Sequence, residues 1–403
     1  MTREHDVVVY GATGYVGALT ADYLARSAPA GTKVALAGRS LQKLEQLRSG
    51  LPEVARDWPL IVADTGDPTA VQAMASSTKV VATTVGPYAK YGVPVVAACA
   101  RSGTHYADLT GEPLFHREMI DTYGKEAADT GAKIVHSCGY DSIPSDLGVL
   151  VLHEAAAADG AGDLDEVTMT AYMRGGISGG TVDSLRTMVD VMKADPSKRK
   201  AVADPFALSP DRPAETTVRQ PSDTPPPGRR ETGWTAPFAM AAYNTRIVRR
   251  SNALLDWAYG RDLRYGEVMG TGSGVTGPLT AVGVTAGLAA MAAGMSFRPV
   301  RPLLDRILPK PGEGPSAETR EKGWFRQDVR GVTTSGRRYR ALVAGSGDPG
   351  YKATAVMFAE SALCLALDDL PGRAGCLTPA VAMGDALVDR LRAAGHTYDV
   401  TPG

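Results

Sequence analysis

The stretch Asp6-Val-Val-Val-Tyr10-Gly11-Ala-Thr-Gly14-Tyr-Val-Gly17 constrains the whole chain. Val7 to Tyr10 form an apolar run without helical spacing, the pattern of a parallel strand buried on both faces. Glycines follow at 11, 14 and 17, and an apolar-periodic helix is expected over 18–28. A strand, a glycine turn and a helix in this order form a phosphate-binding device. Gly11 allows the tight turn, Gly14 lets backbone approach a pyrophosphate, and Gly17 lets helix and strand pack closely. Gly11, Thr13, Gly14, Tyr15, Val16 and Gly17 are therefore the first cofactor-binding candidates, at the positive end of the helix dipole.

A second strand is expected over 33–37, ending in Gly38-Arg39-Ser40. This strand end carries an acid when it holds a free ribose 2′-hydroxyl. Arg39, flanked by Ser40, suits a 2′-phosphate instead, which a guanidinium grips bidentately. The implied cofactor is NADP(H). A third strand, 59–63, ends at Asp64, suited to the adenine edge or to capping the helix from Asp67.

The fourth strand, 80–84, runs into the loop Thr84-Val-Gly86-Pro87-Tyr88-Ala-Lys90-Tyr91-Gly92. Doubly wound folds bind ligands at the carboxyl ends of their strands. Thr84, Gly86 and Pro87 thus join the cofactor-binding set beside the nicotinamide ribose, with Tyr88, Lys90 and Tyr91 in reach. Helices over 93–102 and 113–130 alternate with strands over 104–108 and 133–137. The loop from Cys138 to Asp146 then opens a helix near Pro144, with Asp141 or Ser142 as a natural cap. Six alternating strand–helix units predict an α/β fold built on a doubly wound, Rossmann-type parallel sheet.

A chain of 403 residues exceeds one compact core. The reading is a nucleotide-binding domain over 1–150, an α+β substrate or dimerisation domain over 151–350, and helices over 351–403 that return to the first domain. The net charge of −1 and the lack of a basic face disfavour nucleic acid. The four cysteines are scattered, so no metal site is expected and a reducing cytoplasm fits. In the second half, Gly175–Gly180 reads as a flexible loop heading a helix over 181–194. Residues 195–235 are rich in proline and charge and read as a surface excursion or mobile lid. Arg246, Arg249 and Arg250 read as a solvated helix face or as contacts to an anionic carrier. Residues 268–297 carry no charge. A membrane-surface helix, a buried interdomain or dimer helix and a bilayer span all stay open for them. A hairpin is expected over 324–344, turning at Thr334-Ser335-Gly336.

Several of these loops together carry a family resemblance. Val7–Gly17, Ala35-Leu-Ala-Gly-Arg39, Thr84-Val-Gly-Pro-Tyr88, Tyr106-Ala-Asp-Leu-Thr-Gly-Glu112 and Cys138-Gly-Tyr-Asp-Ser-Ile-Pro-Ser-Asp146 resemble the saccharopine dehydrogenase-like oxidoreductases. Tyr243–Leu254, Trp257–Gly260, Pro309–Pro315 and Leu377–Ala386 resemble that family's branch of trans-acting enoyl reductases. The resemblance spans almost the whole chain. It implies reduction of a C=C bond in a polyketide or lipid acyl thioester, held free or on an acyl carrier protein. A homodimer is the expected assembly.

That chemistry needs a hydride, a partner for the carbonyl oxygen and a proton for the α-carbon. The residues near the nicotinamide are Tyr88, Lys90, Tyr91, His105, Tyr106, Asp108, Glu112, His136 and Tyr140. Tyr88 beside Lys90 is favoured as donor or oxyanion clamp, with His105 the next candidate. An amino-acid oxidoreductase and a non-catalytic NADP-binding protein on a lipid surface remain the alternatives.

Overall fold

The strand–glycine–helix unit is the centre of the first sheet. A computed structural model of the protein describes residues 3–175, 186, 189–297, 299 and 314–403. β1 (His5–Tyr10) pairs in parallel with β2 (Val34–Gly38) on one side and β4 (Thr78–Thr83) on the other. β3 (Leu60–Val62) extends one flank, and β5 (His105–Ala107) and β6 (Lys133–Val135) extend the other. The order β6-β5-β4-β1-β2-β3 reverses at β1/β4, which is the switch point of a doubly wound fold.

Alternate residues of β1 feed two different cores. Val7 and Val9 face one cluster, and Val8 and Tyr10 face the other. Both faces are therefore dry, which is why the strand reads as an unbroken apolar run. α1 (Tyr15–Ser27) and α2 (Leu41–Ser49) follow the first two strands, then α3 (Pro68–Ser77), α4 (Tyr88–Ser102), α5 (Pro113–Thr130) and α6 (Ile143–Ala158). A seventh parallel strand, β13 (Gly375–Leu377), comes from the far end of the chain and pairs with β6. The sequence gives it little signal, because three residues are too short for a visible period.

The second sheet has the order β14-β12-β11-β7-β10-β9-β8. Its strands are β7 (Leu164–Arg174), β8 (Gly228–Arg230), β9 (Gly233–Pro237), β10 (Arg264–Gly272), β11 (Trp324–Thr333), β12 (Arg338–Ser346) and β14 (Thr397–Pro402). Only β7 and β10 pair in parallel. α6 links the two sheets. A Cβ on its Gly148 would stand 3.2 Å from both Val329 and Val343, so the helix lies flush on the second sheet. α7 (Ala241–Leu254), α8 (Gly277–Ser296), α9 (Lys352–Leu367) and α10 (Gly384–Ala393) complete the main helices. α9 packs on α1, β1 and β4, covering one face of the first sheet.

Several expectations change. The loop after β4 is short, since α4 begins at Tyr88. Its first amides are capped from a distance by Glu112, whose carboxylate accepts from Tyr88 N at 3.0 Å and Ala89 N at 2.9 Å. Residues 195–235 are not a bare excursion. They hold a short helix (Pro196–Ala203), β8 and most of β9, and they bury Phe206 and Leu208. Arg246, Arg249 and Arg250 are the reason, and they are neither solvated nor free for a carrier. Arg246 holds Asp223 at 2.8 Å and the Val202 carbonyl at 2.9 Å. Arg249 reaches the Tyr265 carbonyl at 2.7 Å and Gln220 at 3.1 Å. Arg250 reaches the Leu208 carbonyl at 2.6 Å and also the Cys376 carbonyl.

The uncharged stretch 268–297 divides into the end of β10 and α8. α8 is not buried between the sheets: Leu279 is 76% exposed and Val282 58% exposed. By length and composition it is long and apolar enough to cross a membrane. Residues 176–180, and most of the expected helix over 181–194, lie outside the described residues.

Candidate active site

The glycine turn builds the cofactor cradle. Gly11 has φ +81°, and a Cβ there would stand 2.8 Å from Val85 and 2.9 Å from Thr84. Thr84 also donates to the Gly11 carbonyl at 3.1 Å, which ties the loop after β4 to the turn. A Cβ on Gly17 would come within 2.3 Å of the Gly11 carbonyl oxygen. Gly14 sits at the N-cap of α1 without a side-chain cap, and Ala18 N is the amide that returns to its carbonyl, at 2.8 Å. The N–H groups of Tyr15, Val16 and Gly17 ahead of it find no backbone acceptor among the described residues. Three free amides at a helix start form an anion site.

Arg39 stands exposed at the end of β2, without a carboxylate partner among the described residues. Ser40 caps α2 by accepting from Lys43 N at 3.4 Å. Asp64 is exposed one strand over, and its carboxylate accepts from Gly66 N at 2.8 Å. It does not cap α3; Asp67 does, through Thr69 N and Ala70 N. Arg39 and Asp64 flank the Tyr10 hydroxyl, which burial pushes up to about 12, with Asp64 adding to the rise and Arg39 opposing it. The turn, Thr84 and Arg39 thus share one sheet edge and fit a dinucleotide with a 2′-phosphate.

The catalytic candidates fare differently. Tyr88 is buried, and its hydroxyl is spent on backbone: it donates to the Thr83 carbonyl at 3.2 Å and accepts from Leu109 N at 3.1 Å. Burial and then Asp108 raise its pKa far above the ordinary phenol value, the opposite of activation by Lys90. Lys90 and Tyr91 are exposed on the first turn of α4. His105 opens β5, at the sheet edge away from the cradle, where it accepts from Lys133 N at 3.1 Å. Burial, then Lys133, lowers its pKa to about 4. Neither Tyr88 nor His105 is positioned for proton transfer at the cofactor.

The carboxyl ends of β5 and β6 gather a buried polar network instead. Asp108 is wholly buried and accepts from Tyr106 Oη at 2.9 Å, Thr110 N at 3.0 Å and Ser137 N at 3.0 Å. His136 Nδ1 lies 2.7 Å from its other flank. Ser137 then meets Tyr243 Oη at 2.6 Å, and Tyr243 meets His116 Nδ1 at 3.1 Å. Just beyond, Asp141 is half-buried, and its carboxylate accepts from its own backbone N–H. Burial, then the Asp108 charge, pushes its carboxyl up to about 7. It does not cap α6, and neither does the Ser142 side chain, which donates to Asn244 at 3.2 Å.

The inner face of the second sheet adds one more acid. Glu267 faces inward beside Tyr265 and Met269, donors to it being Tyr265 Oη at 2.8 Å and Asn244 Nδ2 at 3.1 Å. Burial raises it to about 7 against those hydrogen bonds. Sequence inspection misses Glu267, because its inward register shows only in the pairing of β10 with β7. Gln327, also wholly buried, faces inward two strands away.

Residues 7–135 match the family of saccharopine dehydrogenase NADP binding domains. A trans-acting enoyl reductase of Mycobacterium tuberculosis is 47% identical, covering 99% of this chain and 98% of that one. Another relative from Mycobacterium tuberculosis is 52% identical with the same coverage. The chain belongs to the trans-acting enoyl reductase family.

This family member also shares its fold with apo saccharopine dehydrogenase (L-Glu forming) of Saccharomyces cerevisiae. That structure superposes with a TM-score of 0.55 at 13% identity, over 98% of this chain and 99% of the other. The trans-acting enoyl reductase family chain is thus an NADP-dependent oxidoreductase on an α/β scaffold. Burial raises the carboxyls of half-buried Asp141 and of wholly buried Asp146 and Glu267 to about 7.

Proposed function

We propose that this chain reduces the C=C bond of a polyketide or lipid acyl thioester, with the acyl group presented on a carrier protein. NADPH, when bound, supplies a hydride to the β-carbon. The C=C electron pair moves onto the thioester carbonyl oxygen, and the α-carbon then takes a proton. The free amides of Tyr15, Val16 and Gly17 hold the pyrophosphate and Arg39 the 2′-phosphate. Asp141 donates the proton, leaving a carboxylate that solvent reprotonates. The observation that carries this reading is the Asp141 carboxyl, near the ends of β5 and β6 and held at about 7, so that its acid form persists at neutral pH.

An amino-acid substrate would need cations paired against its carboxylates. The α7 arginines are committed to Asp223 and to backbone carbonyls, which favours the thioester reading. The test is NADPH oxidation with an enoyl thioester set against a mixture of amino acid and 2-oxo acid. Turnover with the thioester supports the proposal; turnover confined to the amino- and oxo-acid mixture refutes it.

We also propose that the protein is cytoplasmic and rests on a lipid surface through α8. The helix is apolar all round, unlike a surface helix with one wet face, and its Leu279 and Val282 are exposed. Flotation with liposomes should carry the parent protein and not Leu279→Glu/Val282→Glu. Dimerisation through α8, lost in that variant with no liposome binding in the parent, would replace the lipid by a second copy of the chain.

A further inference from the structure

Tyr15 opens α1, and its side chain leaves the first sheet to meet residues from the far half of the chain. Its hydroxyl donates to the Pro315 carbonyl at 2.6 Å. Its ring meets Tyr351 edge-on, with centroids 4.9 Å apart. The guanidinium of Arg320 lies 5.4 Å from the ring centroid, bonded to the Tyr15 hydroxyl and, at 2.9 Å, to the Pro315 carbonyl. The Arg320 carbonyl in turn accepts from Asp348 N at 2.8 Å, so one turn carries both Arg320 and Tyr351 to the helix start. A Cβ on Gly314 would stand 2.4 Å from the Tyr15 ring, so the chain runs flush against it.

Arg320 is half-buried, and no carboxylate pairs with it among the described residues. The comparably placed Arg390 meets two, Asp368 and Glu360. A guanidinium withdrawn from water needs a counterion. The Tyr15 side chain it grips belongs to the first residue of the row of free amides at the start of α1.

We infer that Arg320 is a pyrophosphate-binding residue of the coenzyme site, delivered by the segment that leads into β11 and steered by Tyr15 and Tyr351. The coenzyme then bridges the two sheets, because its phosphates are held by α1 from one and by Arg320 from the other. This inference rests on dinucleotide binding and not on the enoyl substrate, so the two stand or fall separately.

The pyrophosphate is common to NADPH and NADH, whereas the 2′-phosphate at Arg39 is not. Fluorescence titration of the full chain with both coenzymes therefore separates the two arginines. Arg320→Ala should weaken NADPH and NADH alike, by about ten- to a hundredfold for one lost charge-assisted contact. Arg320→Lys should recover part of the loss. Arg320→Gln keeps a donor for the Tyr15 hydroxyl and the Pro315 carbonyl but loses the charge, so it should remain weak and show a shallower salt dependence than the parent. Thermal melting without coenzyme reports folding. Arg320→Gln binding like the parent, or a loss confined to NADPH, overturns the assignment. So does a lowered apo melting temperature with coenzyme affinity and salt dependence intact, which is the mark of a structural contact alone.

Discussion

His136 Nδ1 lies 2.7 Å from Asp108 Oδ2, with both side chains wholly buried at the carboxyl ends of β5 and β6. Burial pulls the imidazole pKa down, but the Asp108 charge and hydrogen bond outweigh it and raise it to about 9. A histidine raised in the folded state gives stability that is complete below its unfolded value of 6.5 and fades as pH climbs through about 9. Removing one partner strands a buried charge. His136→Ala should cost about 3–5 kcal/mol at pH 6 by urea unfolding, and clearly less at pH 10. A cost that does not change with pH would mean that the pair is uncharged.

Arg39 is our proposed determinant of the choice of coenzyme. It is exposed at the end of β2 without a carboxylate partner among the described residues, so its charge is available to a 2′-phosphate. Arg39→Ala should bind NADPH about ten- to a hundredfold more weakly and leave NADH unchanged. Titration of both coenzymes checks it, and an unaltered preference would remove Arg39 from the site.

Asp141 should appear in the pH profile. A general acid works in its protonated form, so kcat/KM with an enoyl thioester should fall above about pH 7, the value to which burial and Asp108 raise it. Asp141→Asn should lower the rate by about a hundredfold and erase that limb. A parent-like profile in the variant would move the acid to Glu267.

Tyr88 should matter for stability and not for chemistry. Its hydroxyl bridges the Thr83 carbonyl and Leu109 N. Tyr88→Phe leaves that amide unpaired, at a cost of about 1–3 kcal/mol in urea unfolding. Coenzyme affinity and turnover should stay within about threefold of the parent. A hundredfold loss of turnover in a stable variant would restore Tyr88 as a donor.

The first sheet was legible because each strand is an apolar run closed by glycine or polar punctuation, from Val7–Gly11 to Ile134–Ser137. The cradle was legible because glycines at 11, 14 and 17 have a backbone reason. The acids were not legible, since their role depends on burial. Asp141 looks like a helix cap until α6 starts without using its side chain, and Glu267 sits in a strand whose inward register only the pairing with β7 reveals. Arg246, Arg249 and Arg250 look like a wet helix face, because sequence does not show the carbonyls of Val202, Tyr265 and Leu208 awaiting them. Tyr88 misled for a similar reason: a tyrosine near a lysine suggests chemistry, but α4 begins at that residue and turns its hydroxyl inward.

Hydride transfer from NADPH to the β-carbon of an enoyl thioester would leave an isotopic signature. Purified protein should be incubated with NADPH deuterated at the nicotinamide C4 position and an enoyl thioester, and the product read by mass spectrometry and NMR. One deuterium on the β-carbon, with the α-hydrogen drawn from solvent, is the predicted result. Deuterium on a carbon bearing nitrogen or oxygen, or NADPH oxidation with the double bond intact, would contradict it.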